Sequence, residues 1–201
     1  MYRNSVAKFG AILQFPRESY AHIPIGLGQG AHVIDADKLG HRTYEAGQPA
    51  NQQIVEAFGE DVRSSDGSID RKALGGKVFG QPDALKQLTD IVWPAIRQLA
   101  EAEIQERQST NPGIDIVLEA AVLFEAGWED LGDQTWVVVV EPKLATERAM
   151  ARDGLPIEAV QNRLNSQLSN AERCQKADLV IENNADSEAF QQQLEKAWNA
   201  R

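Results

Sequence analysis

An α/β fold, a mostly parallel sheet flanked by helices, is the class this sequence predicts, on three observations. Short apolar runs rich in β-branched residues recur along the chain, at Val33-Ile34 and at 114–122, 135–140 and 177–182. Segments of helical spacing fall between those runs, and Gly, Pro or Asn stands at most of the junctions. The 201 residues, 42% hydrophobic and 25% charged, suit one domain or one domain with a small mobile part, and can bury a core without staples.

The elements follow in order. In the first thirty residues, Phe15-Pro16-Arg17, Ile23-Pro24 and Gly26-Leu27-Gly28-Gln29-Gly30 interrupt any periodicity, so no long helix or strand is predicted there. Val33-Ile34 followed by Asp35-Ala36-Asp37 reads as a short buried strand ending in carboxylates. Residues 38–44, 51–58 and 71–79 have helical spacing. Pro82 opens a long amphipathic helix to about residue 108, with Leu85, Leu88, Ile91, Val92, Ile96 and Leu99 on one face and Pro94 expected to kink or split it.

Asn111-Pro112-Gly113 is a turn, and the runs 114–122 and 135–140 after it read as buried strands of a parallel sheet. Pro142 stands where a helix can begin. Residues 144–153, 156–168 and 171–176 read as three helices, 177–182 as a late strand, and Ser187 as the cap of a closing helix to Trp198.

The charge balance, 20 Lys and Arg against 30 Asp and Glu, gives a formal charge of −10 and argues against a general nucleic-acid binder. An anionic small molecule remains compatible if a few cations converge. One cysteine, Cys174, cannot form an internal disulfide, which suits a reducing compartment. The densest apolar run, Trp136-Val137-Val138-Val139-Val140, is far below the roughly 18 residues that span a bilayer. A cytoplasmic protein without membrane contact is expected. The first 17 residues, which carry Arg3, Lys8 and Arg17 and no acid, leave a mitochondrial setting as the alternative.

Four features can carry chemistry. In a strand, residues two apart share a face, so Asp35 and Asp37 can point together into a crevice at the sheet's carboxyl edge. One carboxylate could then orient or deprotonate a hydroxyl while the other holds water around magnesium; the alternative is helix capping. Arg148 and Arg152, four apart on one helix, with Arg163 on the next, suit phosphate oxygens or a solvated face. Arg71, in Ile69-Asp70-Arg71-Lys72, is a further basic point beside a turn, with a surface role as its alternative. Asn183-Asn184 can meet a base edge or simply form a turn. His22, His32 and His41 show no metal spacing, and no metal ligands are assigned. GxxxxGK[ST] occurs nowhere.

In order and spacing, several stretches together resemble the dephospho-CoA kinases over roughly residues 32–184. They are Val33-Ile34-Asp35-Ala36-Asp37, Asp66-Gly67-Ser68-Ile69-Asp70-Arg71-Lys72-Ala73-Leu74-Gly75 with Val78-Phe79, Trp93-Pro94-Ala95-Ile96, Val122-Leu123-Phe124-Glu125, Arg148 with Arg152-Asp153-Gly154-Leu155, and Val180-Ile181-Glu182-Asn183-Asn184. Residues 118–128, and Trp93 before Pro94, look like the kinase half of bifunctional coenzyme A synthases.

The resemblance implies a P-loop kinase-like parallel sheet with a helical lid within about residues 143–177, an atypical N-terminal segment at 1–30 and the kinase-like domain at 31–201. It implies transfer of the γ-phosphoryl of ATP, entering with Mg2+, to the ribose 3′-hydroxyl of dephospho-CoA, the last step of coenzyme A synthesis. Asp37 then corresponds to the base and Arg148 to the arginine near the transferring phosphates. Asp35, Arg71, Arg152 and Arg163 are implied on the substrate and phosphate side, and Asn183 and Asn184 near the adenine. A fused or associated pantetheine-phosphate adenylyltransferase domain is an implied partner.

The chain departs from the family pattern at its phosphate loop, where Arg3-Asn4-Ser5-Val6-Ala7-Lys8-Phe9 resembles the end of that loop and the opening of the next helix. Losing one preorganised donor at a developing charge costs about 2.7–4 kcal/mol. A chain without the loop is therefore expected to turn over poorly, and a gene product that begins earlier and carries it is the corresponding expectation. A non-catalytic paralogue that binds dephospho-CoA or CoA, or acts as a scaffold, is the alternative function. A different P-loop nucleotide kinase is a third, disfavoured by the stretch from Asp66 to Gly75.

Overall fold

The computed structural model describes residues 6–11, 30–154, 156–165 and 167–200, and within these the side chains of 6–11, 152, 153 and 162–165 are left aside. The chain divides into two compact units, one of residues 1–34 and 104–201 and the other of residues 35–103.

The first unit is built on a five-stranded sheet. Its strands are β1 (Val6–Ala11), β2 (His32–Asp35, whose last residue opens the second unit), β3 (Ile116–Ala120), β4 (Gln134–Val139) and β5 (Leu179–Glu182), in the order β2-β3-β1-β4-β5. β1 pairs in parallel with β3, Ala7 opposite Val117, and with β4, Ala7 opposite Gln134; β4 pairs in parallel with β5, Val138 opposite Ile181. Four successive residues of β4, from Thr135 to Val138, are buried, as a parallel strand covered on both faces requires. Val117, Trp136 and Ile181 form one core cluster with Leu194 and Trp198 of the closing helix, and the rings of Trp136 and Trp198 meet edge to face at 6.3 Å.

The second unit carries α1 (Ala36–Thr43), α2 (Pro49–Phe58), α3 (Arg71–Val78) and most of α4 (Pro82–Thr110). Leu39, Ile54, Val62, Ile69, Leu74 and Ile96 are buried in it. Asn51, 2% exposed, donates its amide to the carbonyls of Tyr44 at 2.9 Å and Gly67 at 3.0 Å. That bond pair anchors a turn which Asp66 closes by accepting from the backbone and hydroxyl of Ser68. Gly67 sits there at φ +83°, which favours glycine, and an added Cβ would come a tight 3.2 Å from that of Ala46. Back in the first unit lie α5 (Pro142–Asp153), α6 (Ile157–Asn165), α7 (Asn170–Lys176) and α8 (Ser187–Asn199).

Several elements differ from the sequence-based expectation. Val6–Ala11, read as the end of a loop and a helix start, is a strand, and it occupies the middle of the sheet. Two parallel neighbours satisfy its backbone on both sides, which a short irregular-looking segment does not advertise. α4 passes through Pro94 without splitting, because the buried face formed by Leu88, Val92, Ile96 and Ala100 continues across the proline and outweighs one lost hydrogen bond. Leu85, expected on that face, is 47% exposed. Asp186, not Ser187, caps α8, its carboxylate accepting from the Ala189 amide at 2.9 Å; a charged acceptor suits the positive helix end better than a hydroxyl. No helix among the described residues is long and apolar enough to cross a membrane.

Candidate functional site

In the first unit, the residues that follow β4 and β5 meet at the sheet's carboxyl edge. Pro142 at the first position of α5 and the left-handed Gly154 after its last turn bound a helix that carries Arg148 one and a half turns in. The Arg148 Nη1 donates to the carbonyl of Asn183 at 2.8 Å, and Nη2 donates to the carbonyl of Ala185 at 3.0 Å. The Asn183 side-chain oxygen is 3.5 Å from the same Nη1. Asn184 completes the join: its Oδ1 accepts from the backbone of Glu141 at 2.8 Å, immediately before α5. Arg148, Asn183 and Asn184 are thus one hydrogen-bonded group, formed where two strands end.

The fork of Arg148 closes on two carbonyls and so fixes the path of residues 183–185, a use that residue spacing alone did not indicate. The Asn184 side chain likewise serves the turn, with its Nδ2 3.5 Å from Glu182 Oε2. Arg152 and Arg163 lie in α5 and α6, and their side chains are outside the described residues.

A second polar group, around α7, was not singled out from sequence as a site. Asn170, first in α7, donates to the Val140 carbonyl at 2.9 Å, just beyond β4. Glu125, in the segment after β3, accepts from the Leu168 amide at 2.9 Å. Arg173 of α7 is 2% exposed, and its Nη2 donates to Gln167 Oε1 at 3.3 Å. Burial brings its pKa down to about 10, although Glu125 opposes the shift, so the guanidinium stays charged at neutral pH. Sequence offers little warning of such a residue: one arginine in a short polar helix reads as a surface cation.

In the second unit, Asp35 and Asp37 do not share a strand face. β2 ends at Asp35, α1 starts at Ala36, and Asp37 is the exposed second residue of the helix. The reason is capping: Asp35 accepts from the Lys38 amide at 3.0 Å and pairs with Lys38 Nζ at 3.2 Å, which turns the chain into a helix before Asp37 is reached. Asp37 then stands in the first turn of that helix.

Arg71 opens α3 behind Asp70, whose carboxylate caps the amides of Lys72 and Ala73. Arg71 is exposed and acts on Tyr44: burial raises the Tyr44 pKa and the Arg71 charge lowers it part of the way back. The turn from Asp66 to Asp70, held by Asn51, is what delivers Arg71 to a helix start. Asn51 likewise carries no sequence signal beyond its polarity.

Comparison with known proteins adds the family. The dephospho-CoA kinase family profile matches residues 27–189. The chain is 40% identical over 172 residues to the dephospho-CoA kinase of Geobacter sulfurreducens, covering 86% of this chain and 87% of that protein. Among solved structures, one from Thermus thermophilus superposes with a TM-score of 0.78 at 28% identity, covering 98% of this chain and 97% of that one. The dephospho-CoA kinase from Campylobacter jejuni gives 0.67 at 29% identity, with 96% and 95% covered. The architecture is accordingly the α/β, P-loop kinase-like one.

Proposed function

Since this chain belongs to the dephospho-CoA kinase family and is a dephospho-CoA kinase, we propose that Asp37 is its base toward the ribose 3′-hydroxyl and that Arg148 with Asn183 and Asn184 serves the nucleotide. ATP is the phosphoryl donor of the family and enters as its magnesium complex. Asp35 positions rather than reacts, since its carboxylate is engaged by the helix it caps and by Lys38. Its contribution is to start α1 one residue before Asp37, which sets where that carboxylate stands.

The observation that carries the nucleotide assignment is the clamp from Arg148 to residues 183–185. It orders a turn at the carboxyl edge, where open α/β sheets bind ligands. It also places a cation beside that turn, which supports neutralisation of a polyphosphate in a reaction that depends on positioning and spread charge. Arg71, Arg152 and Arg163 are proposed as cations of the substrate side on the family resemblance. Residues 118–128 support kinship with the kinase half of the bifunctional coenzyme A synthases, and with it an adenylyltransferase partner. The bacterial relatives favour a cytoplasmic setting.

A coupled assay of ADP release tests the assignment. Release that requires dephospho-CoA, is not supported by nucleoside monophosphates and is lost in Asp37→Asn is the expected result. Dephospho-CoA binding without ADP release would support a binding paralogue instead.

A further inference from the structure

We infer that Arg173 is a phosphate-binding residue, its buried guanidinium receiving phosphate-ester oxygens of ATP or dephospho-CoA at the carboxyl ends of β3 and β4. The inference rests on the kinase reading for the identity of the ligand, and on the following geometry for the site.

Arg173 is 2% exposed, yet its Nε and Nη1 have no hydrogen-bond acceptor. Among the described residues, the guanidinium donates only through the 3.3 Å contact from Nη2 to the neutral amide oxygen of Gln167. A charged group taken out of water with most of its donors unmatched is strongly unfavourable, and buried charges in folded proteins are paired. Glu125 is near enough to favour the charged form, but its Oε1 accepts from the Leu168 amide, and Glu125 makes no ion pair with Arg173. Among the described residues nothing fills those donors, and a bound anion would. A guanidinium matches phosphate oxygens in both charge and planar geometry.

The location agrees. α7 is tied by Asn170 to Val140 just past β4, and Glu125 ties the segment after β3 to the entry of α7. Arg173, one turn into α7, is thereby held at the edge of a parallel sheet where ligands bind. The capping box of Ser169 and Glu172 fixes the start of that helix, so the guanidinium is held by a rigid base.

The test is thermal stability of the full chain at constant ionic strength with inorganic phosphate, pyrophosphate, ATP or dephospho-CoA, each against a chloride control. Wild-type protein should be stabilised by phosphate or pyrophosphate. Arg173→Met should lose that shift while its ligand-free Tm rises, since an unpaired buried charge is removed. Arg173→Lys, which keeps charge without the fork, should weaken phosphate affinity by about tenfold or more and carries the comparison if the methionine variant does not fold. The larger loss, with ATP or with dephospho-CoA, identifies whose phosphate is bound. Equal shifts in wild type and variants, or no phosphate shift in wild type, would overturn the inference. Dephospho-CoA turnover measured on the same samples separates the two claims. Turnover with an Arg173-independent shift defeats this inference alone, and an Arg173-dependent phosphate shift without turnover defeats the kinase reading alone.

Discussion

Arg148 on α5 donates from Nη1 to the carbonyl oxygen of Asn183 at 2.8 Å, joining a helix that follows β4 to the turn that follows β5. With the second bond, from Nη2 to Ala185 at 3.0 Å, the guanidinium spans two acceptors that a lysine cannot span with one ammonium. A charge-assisted hydrogen bond of this kind contributes about 1.5–3 kcal/mol. Arg148→Lys is expected to lower kcat/KM for ATP by about tenfold to a hundredfold. Steady-state kinetics with varied ATP decide it, and unchanged kinetics would make Arg148 a structural brace only.

Asp37 stands on α1 with Asp35 capping behind it. A positioned base contributes about 10²–10⁴-fold to a proton transfer, acting in the transition state. Asp37→Asn should therefore lower kcat by that order while the KM for dephospho-CoA changes little. Parallel losses in both parameters would assign Asp37 to binding or to the helix start.

Asn51 is buried with two backbone carbonyls on its amide. Asn51→Leu would leave the Gly67 oxygen without that donor, at about 1–3 kcal/mol, while the Tyr44 oxygen keeps the Ile69 amide at 2.9 Å. A loss of about 1–3 kcal/mol in urea unfolding is expected, larger than for a surface change. A loss below about 0.5 kcal/mol would show that the turn at Gly67 holds without it.

The Tyr44 phenol has its folded-state pKa above the unfolded value of about 10. The native state therefore holds that proton more tightly. Its contribution to stability is whole below pH about 10 and is lost as pH rises through the folded value. Because Arg71 pulls the phenol down, Arg71→Gln should move the Tyr44 midpoint higher still in an ultraviolet phenolate titration, with Tyr44→Phe identifying the signal. A midpoint that falls would contradict the pairing.

Trp198 closes the core cluster against Trp136 at 6.3 Å. Trp198→Ala should destabilise the fold by about 3–5 kcal/mol. Chemical unfolding followed by Trp fluorescence reads this. A loss under about 1 kcal/mol would mean that α8 is not needed to cover the sheet.

The pattern of apolar runs and breaks determined most of the element order, because burial of strands and of helix faces depends on local composition and period. Val33-Ile34, 114–122, 135–140 and 177–182 all contain strands, and Asn111-Pro112-Gly113 turns, with Gly113 at φ +92°. The ordered stretches from Val33 to Asn184, none decisive singly, likewise pointed to the family, and several of them, such as Asp66 to Asp70, serve local turns and caps. What tertiary structure alone decided is how distant groups satisfy one another. Val6–Ala11 is a strand because two neighbours flank it, and Arg148 finds carbonyls 35 and 37 residues away. Asn51 gains its partners across a turn, and Arg173 is buried by packing that its polar helix does not predict. Hydrogen-bond partners and desolvation depend on which atoms meet in space, and periodicity along the chain carries no record of that.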